Sequence, residues 1–495
     1  MPNIFRKSNF PLFILAAVIL LAGFLRFYRI SEYLTFLGDE GRDVLVVKRM
    51  LVDGKLTLLG PITSVGSIYM GPIFYYLMAP FLFLWKFDPT GPAVMVALFS
   101  LATVYLVFRI GRDFLDTWVG LAAAFFYAIS PLTIIYGRAS WNPNVVPFFA
   151  CLYMYSLMKV LISKNDRWLA VAGLALGMMI QLHYVTFMFF LITAVLFLVF
   201  RRLPPIKYLL YFLVAFLAAY SPFILFEIRH GFVNTQGALK FFWQQEAEAG
   251  PSRFVKMLTA VNDISVRLFW RLHIIAGAEL TKIYLVSLIL VTAILFKKKL
   301  AKYTNGLKFL LVWLIVGIIS YGLYGGVIYD YYMGSLFALP FLFSGMMLYL
   351  LYRSGWGKAV SLTILAVLTY FNIINTPIKQ EPNNLLKNTR DIADFVYEKS
   401  EGNPYNFALI AGKNSDHAYR YFLELWKRQP VVIENPQIDP ERKSVTGQLL
   451  IVCEEKICMP LGHPLWEIAG FGQAEIEGEW QVSTAKVFKL VPYDG

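Results

Sequence analysis

The sequence predicts an all-α polytopic membrane protein: about eleven transmembrane helices plus interfacial helices, with a small C-terminal α/β soluble domain. Three observations predict it. First, 58% of the 495 residues are hydrophobic and only 16% are charged, against roughly 45–50% and roughly 25% in soluble domains. A soluble fold of this length has too little interior for so much apolar surface, so lipid must be part of the solvent. Second, long apolar runs alternate with basic connections. Third, the composition turns polar and mixed in charge at about Pro377. A disordered chain, a secreted disulfide scaffold and a soluble enzyme are excluded, and 3 cysteines are too few for a disulfide framework.

Arg6 and Lys7 precede the first apolar run, Phe10 to about Leu25, and the chain continues GFLRFYRI with no small-residue cleavage site. It reads as a retained first helix with the N-terminus in the cytoplasm. Further runs occupy roughly 92–108, 118–135, 144–161, 168–182, 185–200, 208–227, 280–296, 308–327, 334–352 and 358–375. Several approach the ~20 residues needed to span. Basic clusters punctuate every second connection: Arg109/Arg112, Lys159/Lys164/Arg167, Arg201/Arg202/Lys207, Lys297/Lys298/Lys299/Lys302 and Arg353/Lys358. Placed in the cytoplasm, they close a topology of eleven crossings with the C-terminus outside. They also account for much of the net charge of +13, which then carries no nucleic-acid signal.

The apolar segment 72–86, PIFYYLMAPFLFLWK, is short and holds Pro72 and Pro80. Counting it as a crossing would put the Arg109/Arg112 loop outside, so it reads as an interfacial helix. The organisation expected is a membrane domain over 1–376, with outer loops 30–91, 136–144 and 228–279, and an extracytoplasmic α/β domain over 377–495. In that domain NTRDIADFVYEKS and SDHAYRYFLELWKR read as helices. NFALIAG, QLLIVCE and AEIEGEWQVSTAKVFKLV read as strands. Cys453 and Cys458, in VCEEKIC, either pair outside the cytoplasm or stay reduced. No internal repeat and no matching broken helices suggest the two related halves of a transporter.

The unexpected sequence lies outside. Just beyond the first helix, GDEGRD places Asp39, Glu40, Arg42 and Asp43 within five residues. One carboxylate suits removal of a proton from an acceptor hydroxyl, and a second can orient or tune it. The same residues equally suit an ordinary solvated helix start.

The succession of a basic N-terminus, one helix, Arg26 and Arg29, GDEGRD, VDGKL and GPIFYYLMAPF resembles the GT-C superfold of polyprenyl-phosphate-sugar glycosyltransferases. Glycosyltransferase family 39, the relatives of protein O-mannosyltransferase and lipid A aminoarabinose transferase, is the group it looks like. Asp39-Glu40 matches that family's Asp-Glu pair in the first outer loop. Gly71-Pro72-Ile73-Phe74-Tyr75-Tyr76 matches its interfacial helix, and RIGRDFLDTWVGLAAAFFYAISPLTIIYGRASWNP its next spans and loop. The resemblance covers about residues 10–350. It implies transfer of a sugar from a polyprenyl-phosphate donor to a glycan, lipid or protein hydroxyl on the extracytoplasmic face. Asp39 would be the base and Glu40 its partner. Two departures leave the sugar and acceptor open: Tyr69-Met70-Gly71 stands where relatives carry Lys or His, and Arg138 and Asn142 stand where several carry Asp.

A departing phosphate needs cations or hydrogen-bond donors. Arg138, in YGRASWNPN, is the preferred one and is expected to face the same outer cavity as Asp39, with Asn142 beside it. Arg42 and Arg26 follow. Arg138 and Arg26 also suit interfacial arginines that only snorkel. His183 in QLHYVT, His230 in FEIRHGFVNT and Tyr331 in IYDYYMG complete the candidate sugar and phosphate contacts; each also suits a structural or aromatic-belt role. His183, His230 and Glu40 could bind a divalent cation if the fold gathers them, but their spacing gives no support for it, so no cofactor and no metal are expected. The partners expected are the lipid-linked donor, an extracytoplasmic acceptor and the bilayer. The rivals are a transporter or flippase of lipid-linked sugars and a non-catalytic envelope assembly protein.

Overall fold

The computed structural model describes residues 9–63, 68–244, 253–273, 277–299, 303–324, 326–355 and 357–493. In chain order its helices begin with α1 (Phe10–Phe27), α2 (Ile30–Tyr33), α3 (Gly38–Val52), α4 (Ile73–Leu84), α5 (Thr90–Phe114), α6 (Thr117–Ile129) and α7 (Pro131–Tyr136). There follow α8 (Val146–Leu161), α9 (Trp168–Leu182), α10 (Met188–Phe200), α11 (Ile206–Arg229), α12 (Val233–Gln244) and α13 (Arg253–Leu272). Then come α14 (Ala278–Lys299), α15 (Thr304–Gly322), α16 (Ala338–Arg353) and α17 (Lys358–Ile374). The tail holds α18 (Leu385–Ser400), β1 (Asn406–Ile410), α19 (His417–Leu425), β2 (Leu449–Cys453), α20 (Trp466–Ala469), β3 (Ala474–Val482) and β4 (Ala485–Pro492).

Each of the eleven apolar runs falls on one or more of these helices. By length and composition, α1, α5, α8 with its leading turn, α11 and α15 can each cross a bilayer. The turn Asp330–Leu336 with α16 is apolar enough as a pair but bent by 56°, as a broken span or a re-entrant loop is. That bend is a correction, because the sequence suggested no discontinuous spans. A second correction concerns the run 118–135, which breaks into α6 and α7 at Ser130. Pro131 has no N–H to donate and pushes Ser130 out of the helical region, to ψ 122. The segment 228–279 contains α12 and the amphipathic α13.

By internal contacts the chain forms two compact units. The first comprises Met1–Tyr28, Leu56–Met78 and Ala93–Glu381. Its central helix is α8, buried along most of its length, while α11 turns Leu210, Leu213, Val214 and Ile228 outward. Ion pairs tie the basic helix ends together. Asp113, near the end of α5, meets Arg109 at 3.0 Å and Lys159 of α8 at 2.9 Å. Arg202, after α10, meets Asp166 before α9 at 2.7 Å. Lys308 of α15 donates to the Val199 carbonyl at 3.1 Å. Three of the basic clusters therefore gather on the side where α5 and α8 end.

The second unit comprises Arg29–Lys55, Ala79–Pro92 and Pro382–Gly495. Its sheet has the order β1-β2-β4-β3, with β1 parallel to β2 and β4 antiparallel to β2 and β3. The two parallel strands, NFALI and LLIVC, are buried at every position, as continuous apolar runs in a covered sheet should be. Ile410, Leu449, Ile451, Phe488 and Leu490 form the core. Cys453 and Cys458 are joined by a disulfide. Residues Arg29–Lys55 and Ala79–Pro92 are thus part of the same compact unit as the α/β tail, with α3 packed along α19.

Candidate active site

Each unit holds a cluster of the residues singled out from the sequence. In the second unit the cluster is the first turn of α3. Leu37 stands before it in extended conformation, φ −122 and ψ −166. Carboxylates are favourable at a helix N-terminus because the unpaired N–H groups there carry partial positive charge. Glu40 exploits this directly, its Oε2 accepting the Leu37 N–H at 3.2 Å.

Asp39 and Glu40 then part company. Asp39 is exposed and takes one contact from Arg42, Nη1 to Oδ1 at 2.8 Å. The same guanidinium reaches the buried Asp43, donating from Nη2 and Nε to Oδ1 at 2.8 and 3.0 Å. Arg42 therefore spans one exposed and one buried carboxylate. Glu40 is only 7% exposed. Burial pushes its carboxyl up to about 7; Asp39 and Asp43 add to the rise, and the backbone N–H groups of Glu40 and Leu37 oppose it. A buried Glu40 sits behind Asp39, whose carboxylate is the one presented to solvent. Sequence adjacency alone hides this, because successive residues of a helix turn about 100° apart.

The raised Glu40 carboxyl has a consequence for stability. In the unfolded chain Glu40 releases its proton near 4.5, while in the fold it keeps it to about 7. Between these values the folded state binds more protons, so its stability falls as pH rises through this window, by about 3 kcal/mol in all. Glu40→Gln is expected to lose that decline. Measured as the difference from wild type in thermal unfolding, the variant should gain between pH 5 and about pH 7 and level off above it. A constant difference across that range would refute it.

Facing α3 within this unit is the loop before α19. Gly38 and Gly41 have no room for a Cβ, since one at Gly38 would overlap Ser415 and one at Gly41 the backbone of Ala418. His417 Nδ1 and Ser415 Oγ share a hydrogen bond of 2.9 Å. Burial holds His417 below its ordinary value; Asp416 and Asp39 oppose the shift and Arg42 adds to it.

In the first unit the loop after α7 and two helix breaks converge. Trp141 packs on Tyr331 with ring centroids 4.3 Å apart. His183, at the break between α9 and α10, lies 4.6 Å from Tyr332 and 5.9 Å from Tyr331, centroid to centroid. Asn142 Nδ2 donates to the Leu182 carbonyl at 2.6 Å. Asn142, His183 and Tyr331 are thereby brought together. Tyr184, Tyr324 and Tyr332 extend the group, with the Tyr184 hydroxyl 2.6 Å from that of Tyr324 and 3.1 Å from that of Tyr332. A cavity of about 500 Å³ adjoins it, sharing Tyr184 and Tyr324 and lined also by Tyr69, Met70, Gly71 and Asn234.

Two cations were not picked out from the sequence. Arg271 of α13 meets Asp330 at 2.7 Å, and Arg267 meets it at 3.8 Å, next to Tyr331. The only signal was the i, i+4 spacing of the two arginines on an amphipathic helix. The remaining candidates are placed differently. Arg138 is buried, with Nη2 donating to the Tyr28 carbonyl at 2.6 Å. His230 is exposed; its ring stacks on Phe226 at 4.1 Å and its Nδ1 lies 2.9 Å from the Phe226 carbonyl, both within its own helix turn.

Arg26 needs a correction. It is fully buried, and all five of its N–H groups are aimed at the packing around α6. Nε donates to Ser100 Oγ at 2.7 Å, Nη1 to the carbonyls of Ala22 and Ala128 at 3.2 and 3.0 Å, and Nη2 to the Tyr127 carbonyl at 3.4 Å and Thr133 Oγ1 at 3.3 Å. No N–H of Arg26 is left over for a phosphate. Among the described residues, no three His, Cys, Asp or Glu side chains gather as metal ligands would.

Residues 70–226 match the model of the dolichyl-phosphate-mannose-protein mannosyltransferase family. Among solved structures, ArnT from Cupriavidus metallidurans bound to undecaprenyl phosphate aligns over 98% of this chain and 98% of its own, with a TM-score of 0.64 and 12% identity. The chain has the GT-C fold. The apo form of the same ArnT aligns with a TM-score of 0.63 at 13% identity, over 97% of this chain and 98% of its own. A second GT-C structure is the archaeal oligosaccharyltransferase AglB from Archaeoglobus fulgidus, in complex with an inhibitory peptide and a dolichol-phosphate. It aligns over 90% of this chain and 70% of its own, with a TM-score of 0.51 at 13% identity. No curated protein matches at the level of sequence. Within this GT-C fold the family match runs from the start of the α4 region into α11, and begins downstream of Asp39 and Glu40.

Proposed function

We propose that this chain is an integral-membrane glycosyltransferase that moves a sugar from a polyprenyl-phosphate donor to an acceptor hydroxyl on the extracytoplasmic face. The observation that carries the reading is the GT-C fold over nearly the whole chain, shared with an ArnT structure bound to undecaprenyl phosphate. The mannosyltransferase-family match over 70–226 and the dolichol-phosphate in the AglB complex point to the same donor class. The N-terminus is then cytoplasmic and the α/β tail extracytoplasmic, with the acceptor a glycan, lipid or protein.

Asp39 is the base in this reading. It takes the proton of the acceptor hydroxyl as that oxygen bonds to the sugar C1. The bond from C1 to the phosphate oxygen breaks, and the electron pair leaves with the polyprenyl phosphate. A phosphate leaving group carries its own charge, so a general acid is not needed. Positive charge placed where the phosphate charge grows lowers the barrier. Within the first unit, Arg271, whose side chain is 44% exposed, is the cation proposed for that role. Arg138 and Asn142 shape the same loop, and His183 and Tyr331 offer ring faces and hydrogen bonds to the sugar.

The test is transfer of radiolabel by the purified protein from polyprenyl-phosphate sugars to membrane acceptors. Wild type is expected to transfer, and Arg271→Ala to weaken kcat/KM by about 10- to 100-fold, the size of one lost charge-assisted contact. Failure of the wild type with every donor would remove the reading. Uptake of a lipid-linked sugar by proteoliposomes without transfer would replace it with a transporter.

A further inference from the structure

The α/β tail reaches the proposed base by a short chain of hydrogen bonds, and each link is directional. Gly38 donates its N–H to Asn414 Oδ1 at 2.8 Å, one residue before Asp39. The same oxygen accepts the Ser415 N–H at 2.9 Å. The amide nitrogen of Asn414 is taken by Glu454, at 2.9 Å to Oε1 and 3.0 Å to Oε2. Glu454 in turn accepts the hydroxyl of Tyr419 at 2.7 Å. Burial, reinforced by the Glu454 carboxylate, keeps the Tyr419 phenol protonated and so a donor.

The anchor of this chain is firm. Glu454 follows the last residue of β2, its N–H bonds the Ile410 carbonyl at 3.0 Å, and its neighbour Cys453 is in the disulfide with Cys458. At the other end α3 cannot drift, because Gly38 and Gly41 lie directly on the backbone of the 415–418 loop. Asp39 itself is exposed and touched by Arg42, so its direction depends on where the first turn of α3 is held. A base must lie within hydrogen-bond reach of the proton it removes, and a misplacement of about 1 Å can cost on the order of 100-fold.

We infer that Asn414 and Glu454 are positioning residues for the base: the tail domain aims Asp39 through the Glu454–Asn414–Gly38 link. The inference rests on the proposed transferase reading with Asp39 as base. It gives the α/β domain a part in the reaction, and it assigns to Asn414 a role that a surface asparagine with free rotation would not have.

The pair allows a rescue experiment. Asn414→Asp keeps an oxygen for the Gly38 N–H but sets a carboxylate against Glu454. Adding Glu454→Gln restores a donor facing an acceptor, with the amide and the acid exchanged, and still leaves an oxygen for Tyr419. In the transfer assay, Asn414→Asp is expected to lower kcat by about 10- to 100-fold with KM little changed. Asn414→Asp/Glu454→Gln is expected to return within about threefold of wild type. Hydrogen–deuterium exchange over residues 38–45 should rise in the single variant and fall back in the double. An Asn414→Asp protein with wild-type kcat would overturn the inference while leaving the transferase reading in place, as would a double variant no better than the single one. A wild type inactive with every donor would instead remove the transferase reading, and the catalytic meaning of the link with it. Unchanged exchange in Asn414→Asp would overturn the link itself whatever the activity.

Discussion

Asp39→Asn is expected to lower kcat by about 100- to 10,000-fold, the usual contribution of a positioned base, with folding intact. The amide matches the carboxylate in size, and Asp39 is more than half exposed, so no cavity or buried unpaired group is created. Arg42 loses one partner and keeps Asp43 at 2.8 Å. The melting temperature should therefore stay close to that of wild type, since exposed ion pairs contribute about 0–1 kcal/mol. Initial rates with a polyprenyl-phosphate sugar, measured beside the thermal unfolding of the same preparation, check both halves. Wild-type rates in Asp39→Asn would move the base elsewhere. Glu40→Gln makes the contrast, because the buried neighbour should change the pH dependence of stability before it changes the chemistry.

Arg26→Leu is expected to destabilise the helical unit by about 3–5 kcal/mol, the cost of breaking a buried charged network from one side. The reason begins at Pro131. That residue lacks the N–H which the Tyr127 carbonyl would otherwise accept in an unbroken helix. Where α6 ends, the Tyr127 and Ala128 carbonyls turn instead to Arg26, and Tyr127 also to Thr133 Oγ1 at 2.6 Å. Removing the guanidinium leaves buried carbonyls with fewer donors inside an apolar packing. Arg26→Lys is expected to be nearly as harmful, since an ammonium cannot fan out to five acceptors. Thermal unfolding in detergent, with yield of folded protein, reads this directly. An Arg26→Lys protein that unfolds like wild type but binds donor poorly would return Arg26 to the phosphate.

Much of the fold was legible because its signals are local. A run such as 208–227 must be helical in lipid, where every backbone group has to be satisfied within its own segment. Likewise NFALIAG reads as a buried strand and QLLIVCE as a strand, and NFALI and LLIVC are fully buried strands in the sheet. Neither break was read from the sequence, although each has a proline beside it: Pro131 opens α7, and Pro340 lies in the first turn of α16, three residues past Phe337.

The sites divide along the same line. From sequence alone came Asp39, Glu40 and Arg42 as a cluster, because five adjacent residues with that charge density are visible without a fold. Sequence also pointed to Asn142, His183 and Tyr331, though as separate positions. Only tertiary structure brought those three together, turned Glu40 inward and Asp39 outward, and spent the donors of Arg26 on the α6 break, Ser100 and the Ala22 carbonyl. Only tertiary structure, too, packed GDEGRD against Asn414 and Ser415, some 375 residues away in the chain. Spacing along a chain records which groups are available. Burial, and the partner each N–H finds, depend on contacts between segments that no local pattern encodes.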